Sequence, residues 1–550
     1  MLTDYIETLN PKPIFNLKWY KNEDLYSEGE IEDKIIGMIV DNNTEDYVET
    51  IYKNFNWSTY YHLSHIRRNI LNWYPFKKDA DVLEIGCGLG AITGMLCEKV
   101  KSVTAVELSK RRAIATLLRC REKANLEIIV GNLNDIEFEK KYDYITLIGV
   151  LEYQGDYTNT ENPYHDFLIK TKSLLKPTGK LLIAIENQFG LKYWCGARED
   201  HTSLPFDGLN DYKLSKRKVR TFSRKSLEEL VKGSGFEHAF FYYPMPDYKL
   251  PTVVYSDNYL PTNPNMQNMN PYYYPDAKTV IADERGLWEE VIKNSTFPFF
   301  ANSFLVECSD EKVIEHVTFA SLSTARLPEY RIGTKFIENK RVVKFATEPL
   351  SRLHLKTIEQ NEKELLENGV QVLHSKQSQT GLVYDYINEQ LLEDRALALL
   401  KGKKTEEFEA LLTSVYDDVL RSSTQVEGGD NIIFSFGLSV PTDEKIYGPI
   451  LKKAYIDMIL RNAFMTTKGI VWFDQEWTLE NAPASFVMYR LLREFWSSYP
   501  FAENYIRLES VASKFGLIEL WKTYDQIESL FLGAVIDQKF LSESMAFCLK

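Results

Sequence analysis

The sequence predicts an α/β protein built on a doubly wound, mostly parallel sheet, followed by a second, two-lobed α+β domain. Strand-like and helix-like segments alternate from residue 81 to residue 185, which is typical of a parallel sheet. Glycines at alternate positions follow the first of these strands, and the next strand ends in an acid nineteen residues after Gly88. Farther along, a lysine at the centre of a short strand precedes two widely spaced acids. With 550 residues the chain is too long for a single core, so we expect more than one domain.

The composition narrows the classes of partner and location. A net charge of −13 argues against nucleic acid as the main partner, because binding phosphates favours a basic surface. The basic run at residues 213–220 is the exception, and it fits either a solvated face or a lip for an anionic substrate. Six cysteines without a CxxC pair predict no metal cluster or disulfide framework. No signal peptide or transmembrane run is evident, so we expect a cytoplasmic protein, or one attached peripherally to the inner face of the membrane.

Residues 82–90 have the pattern of a ligand-binding loop. An apolar strand leads into Gly86, Gly88 and Gly90 and then into a helix-like segment. Glycines let the backbone turn sharply and approach a ligand closely, and the start of a helix offers free N–H groups. Glu107 ends the next strand, where an acid binds ribose hydroxyls in doubly wound folds. The loop and the acid together predict a site for a nucleoside-containing cofactor.

The spacing Glu84-x-Gly86-x-Gly88-x-Gly90 resembles motif I of the class I S-adenosylmethionine-dependent methyltransferases rather than a nicotinamide fingerprint. The segments at 131–135, 142–153 and 175–185 follow in the order of that family. The resemblance implies a methyltransferase domain over residues 55–309, preceded by an N-terminal lead-in over residues 1–54. S-adenosylmethionine is the cofactor that it implies.

The resemblance also implies contacts along this cofactor. Glu107 would hold the ribose, Asn132 and Leu133 would flank the adenine, and Gly149 would lie near the methionine end. The segment 51–76 is similar to the helix that lids the cofactor in the family, although an ordinary amphipathic helix would have the same pattern. Its candidate lid contacts are Tyr60, Tyr61 and Arg67. The expected cofactor contacts are Tyr61, Arg67, Glu84, Gly86, Cys87, Gly88, Gly90, Glu107, Leu108, Asn132, Leu133 and Gly149.

The loop after the strand that ends at Ile185 is expected to line the same crevice. It contains Glu186, Asp200 and His201, and His201 is the first candidate for a general base because a neutral imidazole can take a proton near neutral pH. A structural role is the alternative for each. Residues 242–298 are rich in aromatic residues and proline and are interpreted as an insertion loop near the acceptor site. The alternation over residues 299–307 predicts a final edge strand.

The downstream half carries a second set of chemistry-bearing residues. Lys344 lies at the centre of a short strand, Asp457 and Asn462 are five residues apart, and Asp474 follows after twelve more. Kinase-like phosphotransferases use such a set: the lysine pairs nucleotide phosphates, the first acid orients a hydroxyl, and the asparagine and second acid hold Mg²⁺. The spacing therefore predicts a kinase-like domain over residues 310–500 that binds ATP and Mg²⁺.

Other residues of the sequence could support this set. Glu362 is the predicted partner of Lys344, with Glu359 as its competitor. Ser321 and Ser323 stand where a glycine-rich loop is expected and would cap phosphates. The departures from protein-kinase motifs leave an inactive kinase-like domain open. Residues 501–550 are expected to form C-terminal helices.

A methyltransferase joined to such a kinase resembles the bacterial chain-terminating methyltransferase–kinases of O-antigen polysaccharides. The segments 186–193 and 474–477 carry this resemblance beside the two motif sets. It implies a bifunctional enzyme that phosphorylates a terminal sugar and methylates the phosphate or a sugar hydroxyl. Its partners would be a glycan or glycolipid acceptor and other polysaccharide-assembly enzymes. A sugar O-methyltransferase with an inactive kinase-like domain, a protein methyltransferase and a glycan-assembly scaffold are the alternatives.

Overall fold

The chain divides into two units in a computed structural model that describes residues 9–24, 26–42, 46–262, 272, 277–438 and 440–542. The first unit comprises Met1–Thr324, Lys335–Glu338 and Gln538–Lys550, and the second comprises Ala325–Thr334 and Asn339–Asp537. The boundary expected at 309/310 thus falls after Thr324, and the chain returns to the first unit twice. Parts of the predicted lead-in, insertion and C-terminal segment lie outside the described residues.

The first unit is organised around a sheet whose centre is parallel. Its described strands are β1 (Ile14–Asn16), β2 (Asp81–Ile85), β3 (Ser102–Glu107), β4 (Leu126–Val130), β5 (Tyr142–Ile148), β6 (Leu175–Glu186), β7 (His238–Met245), β8 (Val253–Ser256), β9 (Ser303–Ser309) and β10 (Val317–Leu322). They run in the order β1-β4-β3-β2-β5-β6-β9-β7-β8-β10. The pairs from β1 to β6 are parallel, whereas β9 is antiparallel to both β6 and β7. This is the doubly wound, mostly parallel sheet that the alternating pattern predicts.

Two strands differ from the prediction. The strand expected at the sheet edge over residues 299–307 is β9, and it lies inside the sheet between β6 and β7. All of its residues are buried, as an internal strand requires, so its apolar alternation was not a sign of an exposed face. Residues 242–245 belong to β7 rather than to a loop, although Pro244 lies within it.

Helices pack against this sheet. Those described in the first unit are α1 (Glu30–Asp41), α2 (Val48–Lys53), α3 (Trp57–Leu63), α4 (Thr93–Lys99), α5 (Lys110–Arg119), α6 (Gln154–Tyr157), α7 (Pro163–Ser173), α8 (Leu191–Trp194), α9 (Arg224–Gly233), α10 (Glu284–Lys293) and α11 (Phe297–Phe300). Leu168 of α7 and Leu227 of α9 are fully buried in one core with Ile145 of β5 and Ile183 of β6. Burial of these apolar side chains fixes the sheet and so the positions of the loops at its strand ends.

The lead-in is part of the first unit rather than a separate segment. Helix α1 packs on α5, and Glu32 of α1 is fully buried beside the guanidinium groups of Arg111 and Arg112, at 3.8 and 3.7 Å. Strand β1 extends the sheet by pairing in parallel with β4.

The second unit combines short antiparallel sheets with helices. Its described strands are β11 (Ile332–Ile337, of which 332–334 belong to this unit), β12 (Arg341–Ala346), β13 (Lys376–Ser378), β14 (Gly381–Asp385), β15 (Gln390–Leu391), β16 (Gln425–Val426), β17 (Ile450–Tyr455), β18 (Ala463–Thr466), β19 (Gly469–Trp472) and β20 (Thr478–Pro483). Its described helices are α12 (Arg352–Glu367), α13 (Leu392–Lys401), α14 (Thr405–Arg421), α15 (Ala484–Ser498), α16 (Leu508–Lys514) and α17 (Trp521–Val535). Strands β12, β14 and β13 pair in that order and pack with α12, while β15-β18-β19 and β16-β17-β20 form two further sheets.

The predicted C-terminal helices do not form a separate region. Val511 of α16 and Tyr524 of α17 are fully buried in the same core as Leu412 and Leu492, so these helices belong to the second unit. The α+β character of this unit agrees with the sequence-based expectation, and its kinase-like character stays a prediction. Among the described residues, no helix has the length and apolar character that a membrane crossing requires.

Candidate functional sites

The glycine loop after β2 requires its glycines for steric reasons. Gly86 has a φ of +77°, and a Cβ there would lie 2.4 Å from Cγ2 of Val150. Gly90 has a φ of +76°, and its Cβ would lie 3.0 Å from the Cα of Thr116 on α5. Glycine is the residue that adopts a left-handed backbone at low energetic cost, and it needs no space for a side chain. The loop is thereby held close to both neighbouring elements.

The acid at the end of β3 is bound to this loop. One oxygen of Glu107 accepts a hydrogen bond from the N–H of Gly88 at 2.8 Å, and the other accepts from the N–H of Ser109 at 3.0 Å. Hydrogen bonds to a carboxylate are among the stronger ones, so they fix its orientation. Glu107 lies where an acid binds ribose hydroxyls in doubly wound folds.

A cavity of about 600 Å³ opens at the carboxyl ends of β2 to β6. The predicted cofactor residues that line it are Tyr61, Arg67, Glu84, Gly86, Cys87, Gly88, Glu107, Leu108, Asn132, Leu133 and Gly149, and His201 lines it as well. Gly90 is a predicted contact that does not line it, because it packs against Thr116 instead. Tyr60 does not line it either: it is buried and stacks on Phe540, so it is not a lid contact.

A family model described as a methyltransferase domain matches residues 59–239. This part of the chain contains the glycine loop and strands β2 to β6. Residues 59–239 are a class I methyltransferase domain. Curated relatives match the same region. A malonyl-[acyl-carrier protein] O-methyltransferase of Priestia megaterium is 29% identical over 124 residues, which are 22% of this chain and 42% of that protein. A ubiquinone biosynthesis O-methyltransferase of Pelagibacter ubique is 27% identical over 134 residues, which are 23% of this chain and 52% of that protein.

The matches leave much of each protein uncovered. The chain spans about half the length of these curated relatives. Among solved structures, a possible histamine N-methyltransferase from Thermotoga maritima is 15% identical, with 48% of this chain and 98% of that chain covered and a TM-score of 0.28.

Two charged side chains of the methyltransferase domain face the cavity from β2 and the preceding segment. Burial raises the pKa of Glu84 to about 7, and its Oε2 has no hydrogen-bond partner among the described residues. Arg67 donates to the backbone oxygen of Lys249 at 2.7 Å, and its guanidinium carbon lies 4.4 Å from the ring centre of Tyr61. Asn132 donates from its amide to the backbone oxygen of Tyr157 at 3.3 Å. These three side chains, which the sequence singled out, thus form part of the cavity wall.

The end of the cavity beside Gly149 is acidic. Gly149 has a φ of +72°, and a Cβ there would lie 2.9 Å from Oη of Tyr248 and 3.6 Å from Oε1 of Glu152. Glu152 and Glu186 are both 1% exposed, and each has one buried oxygen, Oε2, without a hydrogen-bond partner in the described chain. Burial raises the pKa of Glu152. We call this region, formed by Gly149, Glu152, Glu186, His201 and Lys249, the acidic end.

His201 does not have the environment of the predicted general base. Its Nδ1 lies 2.9 Å from Oε1 of Glu199, and its Nε2 lies 3.8 Å from Oε1 of Glu152. Burial by itself would lower the pKa of His201, but the carboxylates of Glu152 and Glu199 raise it well above its usual range. Carboxylates on both ring nitrogens favour the protonated imidazole, so the prediction of a neutral base does not fit this environment.

Other groups at the acidic end were not identified as site residues from the sequence. Lys249 pairs with Oε1 of Glu186 and lies 2.8 Å from Oδ1 of Asp200. Glu152 follows β5 closely, a position that could have marked it. Lys249 lies in the loop between β7 and β8, and no local sequence pattern indicates that it belongs to the site.

In the second unit, the predicted lysine and acids converge. Nζ of Lys344 on β12 pairs with Asp474 and lies 3.2 Å from Oε1 of Glu476. Oδ2 of Asp457 accepts hydrogen bonds from the backbone N–H groups of Glu476 and Trp477, at 3.0 and 2.8 Å. Burial by itself would raise the pKa of Glu476, but Lys344 and its other cationic neighbours hold it well below its usual range. Glu476 was not predicted as a site residue, although it stands two positions after Asp474.

Asp457 and Asn462 are tied into the local structure. Oδ1 of Asp457 lies 3.3 Å from Nη1 of Arg490, so both of its oxygens have partners. The side-chain amide of Asn462 donates to the backbone oxygen of Asp457 at 3.1 Å. Asp474 has a φ of +59°, and a left-handed backbone at a non-glycine residue is a strain that tends to cluster at functional sites.

Three predicted residues of this unit's site lie elsewhere. Glu362 does not pair with Lys344. Its carboxylate accepts hydrogen bonds from the backbone N–H of Ser375 at 3.0 Å and from the hydroxyl of Ser375 at 2.7 Å. It also accepts one from the hydroxyl of Tyr384. Asp474 and Glu476 supply the counter-charge instead, because they reach Lys344 directly. Ser321 lies within β10 rather than in a loop, and Ser321 and Ser323 both belong to the first unit.

Proposed function

We propose that the first unit transfers the methyl group of S-adenosylmethionine to a hydroxyl group of a glycan end. The observation that carries this is the cavity of the methyltransferase domain, in which the glycine loop and Glu107 lie as a nucleoside-containing cofactor would need them. Glu107 would hold the ribose, and Asn132 and Leu133 would flank the adenine. In the transfer, an oxygen lone pair of the acceptor attacks the methyl carbon, and the C–S electron pair leaves with the sulfur.

The acidic end favours a hydroxyl over a phosphate as the methyl acceptor. The unpartnered oxygens of Glu152 and Glu186 accept hydrogen bonds, which a sugar hydroxyl can donate. A phosphate dianion has no hydrogen-bond donor to offer these oxygens. Methylation of a terminal phosphate remains the second possibility for this site.

For the second unit we propose ATP-dependent phosphorylation of a sugar. The convergence of Lys344, Asp457 and Asp474 supports it, since phosphoryl transfer depends on positioned charges. Lys344 would pair with ATP phosphates, and Asp474 and Asn462 would hold Mg²⁺, whose preferred ligands are oxygens. An inactive kinase-like domain is the competing proposal, because Asp457 is bound on both oxygens and the serines expected to cap phosphates belong to the first unit.

The joint resemblance to O-antigen chain terminators supports a glycan end as the substrate of both reactions. Mass spectrometry of candidate oligosaccharides with S-adenosylmethionine alone, ATP–Mg²⁺ alone and both together tests the proposal. We expect a gain of one methyl group with the first cosubstrate and of one phosphate with the second. Methylation of proteins but of no glycan would favour the protein methyltransferase alternative, and no binding of either cosubstrate by calorimetry would favour the scaffold.

A further inference from the structure

The acidic end brings three potential metal ligands together. One oxygen of Glu152, one oxygen of Glu186 and one ring nitrogen of His201 all lie within 4.8 Å of one another. Both glutamates are 1% exposed, and both line the cavity. Their Oε2 atoms have no hydrogen-bond partner among the described residues. Buried carboxylate oxygens that lack partners are costly, so the folded chain leaves a place for a positively charged or donating group here.

The histidine is held as metal-ligating histidines are held. Oε1 of Glu199 contacts Nδ1 of His201 at 2.9 Å, which leaves Nε2 directed toward Glu152. Glu199 is itself fixed by the backbone N–H groups of His201 and Thr202, both at 2.7 Å, and by the hydroxyl of Tyr212 at 3.0 Å. A carboxylate on the far nitrogen orients the ring and raises the basicity of the nitrogen that binds the metal.

The nearby lysine leaves the ligand atoms accessible. Lys249 pairs with Oε1 of Glu186 and with Asp200, which leaves Oε2 of Glu186 without a hydrogen-bond partner among the described residues. A bound cation would use that second oxygen. Its binding would replace the proton on Nε2 of His201, as metal binding to histidine does.

We propose that Glu152, Glu186 and His201 form a binding site for a divalent transition-metal cation at the acidic end of the cavity. A site of two carboxylates and one imidazole suits Mn²⁺, Fe²⁺ or Zn²⁺ better than a site with only oxygen ligands does. Three protein ligands leave positions open for the acceptor. If the first unit is the proposed methyltransferase, the cation would replace the direct hydrogen bonds between these carboxylates and the acceptor hydroxyl. It would lower the pKa of that hydroxyl, whose proton would leave to water before the oxygen attacks the methyl carbon.

The test is a titration of the full-length protein with Mn²⁺ alone. Binding is measured as the loss of the electron paramagnetic resonance signal of the free ion. It is done in the Asp474→Asn background, so that a cation site in the second unit does not contribute. We expect one Mn²⁺ per chain. Glu186→Gln should weaken binding at least tenfold, and Glu199→Gln should weaken it about 10–100-fold, because Glu199 only positions the histidine.

Glu127→Gln is the matched control, since Glu127 lies on β4 outside the cavity and pairs with Asn16, and its Mn²⁺ affinity should be unchanged. The affinity for S-adenosylhomocysteine is measured on every variant. If the protein binds S-adenosylhomocysteine but no Mn²⁺, or if Glu186→Gln binds Mn²⁺ normally, the metal site is disproved while the methyltransferase proposal stands. If S-adenosylhomocysteine does not bind but Mn²⁺ does, the proposed methyl transfer fails and the metal site stands.

Discussion

At the scale of single residues, the buried carboxyl group of Glu84 in the cavity wall should make the stability of the protein depend on pH. Its folded-state pKa of about 7 lies above the usual value, so its stabilising contribution is fully present below about pH 4.5 and is lost as pH rises through about 7. In the cofactor-free protein, Glu84→Gln should remove this loss. Between pH 5 and pH 8 the free energy of unfolding should fall by about 2.5 kcal/mol less in the variant than in the wild type.

Urea denaturation at the two pH values measures this difference. Glu127→Gln serves as the control, because it removes a carboxylate of the same sheet outside the cavity. If the wild type and Glu84→Gln lose stability in parallel, the buried carboxylate of Glu84 is not the group that titrates.

Residue-level contacts were the hardest to foresee from the sequence. Glu107 and Gly86 belong to short local patterns, and the structure places both at the cavity. The charge of His201 could not be predicted, because it depends on Glu152, which is distant in sequence. Glu362 was chosen from its helical face alone, and helical periodicity does not tell which of several buried polar groups an acid will meet.

At the scale of elements, the loop after β2 depends on the absence of a side chain. Gly86→Ala would place a Cβ 2.4 Å from Val150 on a left-handed backbone, so we expect a loss of roughly 2–4 kcal/mol in the free energy of unfolding. S-adenosylmethionine binding should weaken as well, because the displaced loop lines the cavity. Thermal denaturation and calorimetry measure the two effects.

Gly37→Ala is the matched substitution. Gly37 lies within α1, has an ordinary helical φ and has nothing within 4 Å of its would-be Cβ, so alanine should stabilise the helix by about 0.5–1 kcal/mol. Equal effects of the two substitutions would mean that the close approach of Val150 has no energetic importance.

The order of strands and helices from β2 to β6 could be predicted because each element has its own apolar period and the glycine loop fixes the first connection. Strand β1 was not foreseen, because it lies in the predicted lead-in. Strand β9 could not be placed, because an internal antiparallel strand and an edge strand have similar alternation over seven residues. The proline in β7 also argued wrongly for a loop, since its partner Val254 lies on a short neighbouring strand.

At the scale of the whole molecule, the two units should bind their ligands independently of each other's site residues. Asp474→Asn should abolish the rise in melting temperature caused by ATP–Mg²⁺, because it removes a proposed metal ligand that pairs with Lys344. The rise caused by S-adenosylmethionine should remain. Asp430→Asn, at an exposed position of the second unit, should keep both.

An absent response of the wild type to ATP–Mg²⁺ would favour the inactive kinase-like domain. The sequence predicted two nucleotide-handling regions from motif spacing alone. It did not predict how the chain is divided, because the returns of residues 335–338 and 538–550 to the first unit depend on packing rather than on a local signal.

One of these returns has a consequence for biosynthesis. Phe540 packs against Tyr60 and His65, and Lys539 pairs with Glu49, all within the first unit. A ribosome must therefore translate the entire second unit before the helix beside the cavity receives these partners. A chain that ends before residue 539 lacks these contacts, and we expect its first unit to be less stable than that of the full-length protein.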